Sequence, residues 1–251
     1  MKLENKVAIV TGAAQGIGRR YAEFLAREGA HVAVVDIKAE AAEEVARELV
    51  AGGSEAIALA VDISSQEATR EMARAVAERF GGIDILVNNA AIYEGYIHYG
   101  LLDLPLDYWQ KFLDVNLTGS LLCTQAVVPY MKQRGGGRVV MQSSAGAATA
   151  GSHYGLTKLG VQGLTVGLAG SLGQFRINVN CIAPGITDTA ATRGHYSDEQ
   201  LTDMVAKRVP IGLLATVDDM ANALIFLVSE EGRMMTGQVL HVDGGMIRHP
   251  A

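Results

Sequence analysis

Tyr154 and Lys158 stand four residues apart in Ser152-His153-Tyr154-Gly155-Leu156-Thr157-Lys158, with Ser144 just upstream and Asn116 further back. On a helix, positions i and i+4 share a face, so the phenol and the ammonium can reach one site together. A free tyrosine titrates near pH ~10 and is a poor base at neutral pH. A cation held beside it favours the phenolate, and the pair could then pass a proton to or from an alcohol oxygen near physiological pH. Tyr-x-x-x-Lys also occurs on many solvated helices, so the neighbouring motifs decide its meaning.

Upstream, Thr11-Gly12-Ala13-Ala14-Gln15-Gly16-Ile17-Gly18 follows the apolar run Val7-Ala8-Ile9-Val10. A strand, a glycine turn and a helix start form an anion site. The glycines let the backbone approach a pyrophosphate, and the helix N-terminus supplies free N–H groups. The spacing is Gly-x-x-x-Gly-x-Gly. Asp36 ends the second strand run, 18 residues after Gly18. A carboxylate there can accept both hydroxyls of an adenosine ribose and repel a 2′-phosphate. Ile37-Lys38 offers one lysine and no arginine to receive such a phosphate, so the expected cofactor is NAD rather than NADP. A helix cap is the alternative role for Asp36.

The elements that must position these groups alternate. Strand patterns at Val7–Val10, His31–Asp36, Ala56–Val61, Ile83–Val87, Arg138–Met141, Ile177–Ile182 and Gln238–Val242 are apolar without polar alternation. Helix patterns cover Ile17–Glu28, Ala39–Val50 and Gln66–Phe80. Such strands between helices predict a parallel sheet covered on both faces. The fold class is therefore α/β, a Rossmann-type doubly wound, seven-stranded, mostly parallel sheet with ligands at the carboxyl ends of the strands. No linker or repeat divides residues 1–251, which read as one dinucleotide-binding and catalytic domain. Thr187–Pro210 follows a strand end and Pro184-Gly185. It reads either as a lid over the ligand side or as a solvated excursion with a short helix at Ser197–Lys207.

Composition narrows the class. The chain is 49% hydrophobic and 19% charged, which suits a compact core and not disorder. A net charge of -6 with no basic stripe argues against nucleic acid as a partner. The N-terminus shows no signal-peptide pattern, and no apolar run reaches the ~20 residues of a membrane helix. These features predict a soluble cytoplasmic protein. Cys123 and Cys181 suggest neither disulfide nor metal site and read as apolar fillers.

Together these motifs resemble the short-chain dehydrogenase/reductase family, in its single-domain branch, from Lys6 to about Gly245. Thr11 to Gly18, Asp62, Asn88-Asn89-Ala90, Asn116, Ser144, Tyr154 with Lys158, and Pro184-Gly185 appear in the family's order, and Thr236 to Gly245 resembles its last strand. The resemblance implies that Gly12, Gln15, Gly16, Ile17 and Gly18 hold the cofactor with Asp36, that Asp62 and Ile63 lie beside the adenine, and that Asn88 and Ala90 line the cleft. Tyr154 and Lys158 also touch the cofactor, and Pro184, Gly185, Thr187 and Thr189 surround the nicotinamide, with Thr189 on its carboxamide. The family commonly has an aliphatic residue where Thr187 stands. The implied reaction interconverts a secondary alcohol and a ketone by hydride transfer. Tyr154 is acid or base, Lys158 lowers its pKa, Ser144 bonds the substrate oxygen and Asn116 helps hold a water linking Lys158 to solvent.

There are departures. Ser144 stands ten residues before Tyr154, about three fewer than in many relatives, so the Ala145–Gly151 loop is short. Ser143 competes with Ser144 for the catalytic role, and Ala91 replaces a glycine often found after Asn-Asn-Ala. The expected substrate pocket comprises Tyr93, Tyr96, Thr149, His153 and part of the 187–210 segment. Its short Ala/Gly-rich border predicts an apolar or cyclic alcohol or ketone. His98, His153 and His195 read as surface or pocket-wall residues. Relatives usually form tetramers, and Gly160, Gly163, Gly167, Ala169 and Gly170 would let helices approach closely in a homotetramer. The competing readings are a 3-oxoacyl-thioester reductase of fatty-acid metabolism, against which Asp36 argues, and a non-catalytic cofactor-binding sensor.

Overall fold

The computed structural model describes residues 1–93, 97 and 99–248. Seven strands form one sheet: β1 (Val7–Thr11), β2 (His31–Asp36), β3 (Ala56–Ala60), β4 (Ile85–Asn88), β5 (Gly137–Gln142), β6 (Ile177–Pro184) and β7 (Val239–Val242). Their order is β3-β2-β1-β4-β5-β6-β7. Every pairing is parallel, so the sheet is wholly parallel rather than mostly so. β1 is buried along its whole length, as a strand covered on both faces must be.

Successive residues of a strand face opposite sides, and β1 separates two cores in this way. Ala8 and Val10 pack with Tyr21 and Leu25 of α1 (Gly16–Arg27), Val45 of α2 (Ala39–Ala51) and Leu224 of α9 (Val217–Val228). Val7 and Ile9 pack on the other side with Val76 of α3 (Gln66–Phe80), Val127 of α5 (Gly119–Gln133) and Val161 of α6 (His153–Leu172). Strand order reverses between β1 and β4, the place where an open α/β sheet leaves a crevice.

The stretch between β4 and β5, to which the sequence pattern assigns no element, contains α4 (Leu106–Leu113), a π-helical turn at Asp114–Thr118, and α5. The 187–210 segment holds α8 (Asp198–Arg208), close to the expected helix, and also α7 (Ala190–His195). The capping box of Ser197 and Gln200 starts α8. Thr189 caps α7, whose six residues are too few to show a helical period. Among the described residues no helix is long and apolar enough to cross a membrane.

Candidate functional site

The glycine turn is built against the end of β4. Gly12 has φ +64, a conformation that a side chain disfavours, and a Cβ there would lie 2.7 Å from Ala90 Cα. A Cβ on Gly18 would meet Gly12 O at 2.1 Å, so α1 can start here only without a side chain. Asn89 Nδ2 donates to the carbonyls of Thr11 and Gly12 at 3.0 Å, while Thr11 Oγ1 accepts from the amides of Asn89 and Ala90 at 3.1 Å. These bonds tie the β1 turn to the β4 end. No side chain of the described residues caps α1, and Gly12, Gln15, Gly16, Ile17 and Gly18 face the cleft, so the amides of its first turn can meet an anion.

The neighbouring strand ends complete that half. Asp36 accepts from Ala14 N at 3.1 Å and Lys38 N at 3.0 Å, which pins its carboxylate at the rim. Lys38 Nζ donates to Gln15 Oε1 at 3.2 Å. Asp62 and Ile63 line the same cleft, and Asp62 Oδ1 accepts from Ser64 N and Oγ. A glycine cradle, a helix N-terminus and a carboxylate at the end of β2 fit an adenine dinucleotide. Asn88 does not line the cleft as expected. It is 3% exposed and turned into the core, where Nδ2 donates to Thr124 Oγ1 at 3.0 Å. Asn89 takes its place on the wall beside Ala90.

Ser152 starts α6 by accepting from Gly155 N at 3.0 Å. That cap places Tyr154 in the first turn, half-buried, and Lys158 one turn on, 2% exposed. Both line the cleft, and Lys158 Nζ lies 5.8 Å from the centre of the Tyr154 ring. Burial pushes the Lys158 ammonium down to about 8, partly opposed by Cys181. Nζ donates to Gln142 O at 2.8 Å. The Gln142 side chain accepts from Tyr21 Oη at 2.8 Å, so the end of β5 is held from beneath by a buried pair. The polar residue directly before Ser143-Ser144 was the available sequence signal for that support.

The two serines differ. Ser143 is 2% exposed, donates to Lys158 O at 2.9 Å and accepts from Gln162 Nε2 at 3.1 Å. Ser144 is half-buried on the cleft wall, and its Oγ accepts from Gly146 N at 3.1 Å, which leaves its proton to donate. A Cβ on Gly146 would lie 3.4 Å from Ser144 Oγ and 3.9 Å from Tyr154 Cε1, so the short loop runs beside both.

Asn116 sits in the π-helical turn, 1% exposed and off the cleft wall. It accepts from Ile92 N at 2.7 Å and donates to Ile92 O at 3.2 Å and Thr157 Oγ1 at 3.4 Å. Its amide thus clamps the chain after β4 to α6. The end of β6 brings Pro184, Gly185, Thr187 and Thr189 to the cleft. Gly185 lies where a Cβ would be 2.8 Å from Asp243 Cα. Thr187, 4% exposed, donates to Gly185 O at 3.2 Å, and Thr189 accepts from Thr192 N at 3.1 Å as the α7 cap.

Of the expected substrate residues, Tyr93 lines the cleft and two others do not. Thr149 is exposed and donates to Gly146 O at 3.2 Å, because the tight turn at Ala145–Ala148 points it outward. His153 is fully buried, its ring edge-on to Phe112 at 4.6 Å and Tyr108 at 5.6 Å, because the residue preceding Tyr154 faces α4 rather than the cleft. Tyr96 and His98 lie outside the described residues. The cleft has a volume of about 900 Å³, ample for a dinucleotide's reactive half and a small substrate. Among the described residues no three His, Cys, Asp or Glu side chains are grouped to hold a metal ion.

Comparison with known proteins agrees with this fold. A family profile described as enoyl-(acyl carrier protein) reductase matches residues 12–247. An uncharacterized oxidoreductase of Mycobacterium tuberculosis is 49% identical over 97% of this chain and 98% of its own. The L-rhamnose 1-dehydrogenase (NAD(P)(+)) of Azotobacter vinelandii is 36% identical over 98% of both chains. A crystal structure of a provisionally assigned short-chain alcohol dehydrogenase from Sinorhizobium meliloti 1021 superposes with a TM-score of 0.91 at 35% identity, covering 98% of this chain and 97% of that one. With this likeness over nearly its whole length and a seven-stranded parallel sheet of the same kind, the chain belongs to the short-chain dehydrogenase/reductase family of NAD(P)-dependent oxidoreductases.

Proposed function

We propose that this protein is an NAD-dependent oxidoreductase, built as one domain, that interconverts an apolar or cyclic secondary alcohol and its ketone. The observation that carries the reading is the convergence of Tyr154, Lys158 and Ser144 on the cleft that also holds the glycine turn and Asp36. When bound, the nicotinamide supplies the hydride acceptor or donor, and the protein supplies position and proton traffic. Tyr154 takes the alcohol proton onto its phenolate oxygen, or returns it to a reduced carbonyl. Lys158, charged at pH 7 with its pKa at about 8, stabilises that phenolate. Ser144 donates its remaining proton to the same substrate oxygen, where charge changes during the reaction.

Asp36 supports NAD over NADP, since its fixed carboxylate would face a 2′-phosphate. The amides at Gly12 to Gly18 would receive the pyrophosphate, Asp62 and Ile63 the adenine, and Pro184, Gly185, Thr187 and Thr189 the nicotinamide. Asn116 serves as a clamp on Ile92, with its amide engaged there and on Thr157. A cytoplasmic homotetramer is the assembly proposed with this activity. On α6, a Cβ at Gly163, Gly167 or Gly170 would meet nothing within 4 Å, and Val166 is 59% exposed, which suits contact with a second copy. Gly160 and Ala169 turn inward instead, against Leu117 and the core. A monomeric mass by light scattering at micromolar concentration would exclude the tetramer.

The deciding experiment follows NADH absorbance with purified protein and a panel of cyclic, aromatic and aliphatic secondary alcohols, with NADP in parallel. Turnover with NAD on one chemical class, reduced 10²–10⁴-fold in Tyr154→Phe, is the expected result. Silence across the panel despite NADH binding would reject the alcohol reading and direct attention to 3-oxoacyl thioesters.

A further inference from the structure

Tyr93 stands between the catalytic helix and α7. Its ring centre lies 5.2 Å from that of Tyr154, tilted at 52°, and 5.3 Å from that of His195, at 69°. Both geometries are those of favourable tilted aromatic pairs. His195 Nε2 is 3.2 Å from Tyr93 O. A single residue therefore meets the last position of α7, His195, through both its ring and its backbone.

The two sides of this contact are unequally anchored. Tyr93 follows Ile92, whose N–H and C=O are both held by the buried Asn116 amide. By contrast, α7 has six residues, and its ion pairs from Arg193 to Asp188 and Asp198 are exposed and screened by water. The Thr189 cap and the buried Thr192 hold its first half, while its last turn carries the Tyr93–His195 contact. Thr189, Ala190, Ala191 and Thr192 line the cleft, so any outward swing of α7 opens it.

We propose that Tyr93 is a positioning residue that latches α7 shut over the cleft and braces the Tyr154 ring, making closure and alignment of the acid/base one event. The latch takes from the alcohol/ketone reading only the role of Tyr154, and its α7 arm stands without that reading. A closed α7 excludes water from the reacting end, as lids in other enzymes do.

The test is hydrogen exchange in peptides spanning 190–196, with and without NADH, for wild type, Tyr93→Ala, Tyr93→Phe and His195→Ala. Losing the ring contacts should speed exchange there about tenfold in Tyr93→Ala and less in His195→Ala, with β5 peptides unchanged. On an alcohol that the wild type oxidises, kcat should fall about tenfold or more in Tyr93→Ala and stay within about threefold in Tyr93→Phe, which keeps the ring. Unchanged exchange of α7 in both alanine variants overturns the latch, as does faster exchange that extends equally to β5. Full kcat in Tyr93→Ala overturns the bracing of Tyr154. If the wild type oxidises no alcohol, the alcohol reading falls and the exchange data alone decide the latch.

Discussion

Replacing Lys158 by Met should leave the protein at least as stable at neutral pH while abolishing turnover. The ammonium is 2% exposed, and burial lowers its pKa from 10.5 to about 8. Each unit of difference is 1.36 kcal/mol, so at pH 7 the charge costs the fold about 3 kcal/mol. Met fills the same channel with an apolar chain, but it removes the donor to Gln142 O, at a cost of about 1–3 kcal/mol. The expected net gain is about 0–2 kcal/mol, or up to roughly 8 °C in Tm for a chain of this length. The pH dependence is more specific. An unfolded lysine keeps its proton to about 10.5 and the folded one only to about 8, so folding releases a proton between those values. Wild-type stability therefore climbs by about 3 kcal/mol from pH 8 to 10.5 relative to the variant, whose advantage at pH 7 disappears over that range. Urea unfolding of both proteins from pH 7 to 10.5 measures the difference. A variant less stable than wild type at pH 7, by an amount that does not change with pH, would refute the reasoning.

Three further outcomes are expected. In Asp36→Asn the fixed charge is lost while an acceptor remains for Ala14 N or Lys38 N, so the ratio of kcat/KM for NADP to that for NAD should rise about tenfold or more. Ser152→Ala removes the cap of α6 and should cost about 1 kcal/mol in denaturant unfolding, with kcat reduced because Tyr154 lies in the frayed turn. Asp84, 7% exposed, accepts from Val7 N and pairs with Arg134; Asp84→Ala should cost about 2–4 kcal/mol yet leave activity per folded molecule unchanged, as an active-site titration against NADH would show.

The sheet was legible because parallel strands buried on both faces need unbroken apolar runs, and Val7–Thr11 or His31–Asp36 can be little else. The first three helices carry polar outer faces and were legible for the same kind of reason. α4 and α5 were not: a π-helical turn at Asp114–Thr118 shifts the period between them, and Pro129 interrupts the pattern inside α5. At the site, the i, i+4 spacing fixed Tyr154 and Lys158 on one face before any fold was known. Adjacent residues were harder. Asn88 and Asn89 sit at the end of β4, where neighbours point opposite ways, and only the pairing of Asn88 with Met141 shows which one enters the core. His153 likewise turns from the cleft because the helix rotates about 100° per residue, a choice the sequence leaves open until α4 is placed against it.

The partner that Lys158 finds inside the protein explains why its burial is tolerated. Among the described residues no carboxylate forms a salt bridge with it, and its Nζ donates to the dipole of the Gln142 carbonyl. A carboxylate there would raise the lysine pKa and stabilise the fold, but it would also cancel much of the positive field reaching Tyr154. A carbonyl satisfies one N–H without adding a charge. The ammonium then stays protonated at pH 7 with its field available to the phenolate, and the instability is held in check by the surrounding supports. These are the Ser152 cap, the Ser143 bond to Lys158 O and the Tyr21–Gln142 pair beneath the end of β5. Each acts on backbone or on a side chain that touches no substrate, and each fixes a group that the proposed chemistry needs. Stability that Lys158→Met recovers is, on this argument, the stability that the site gives up to keep a cation one helical turn from its base.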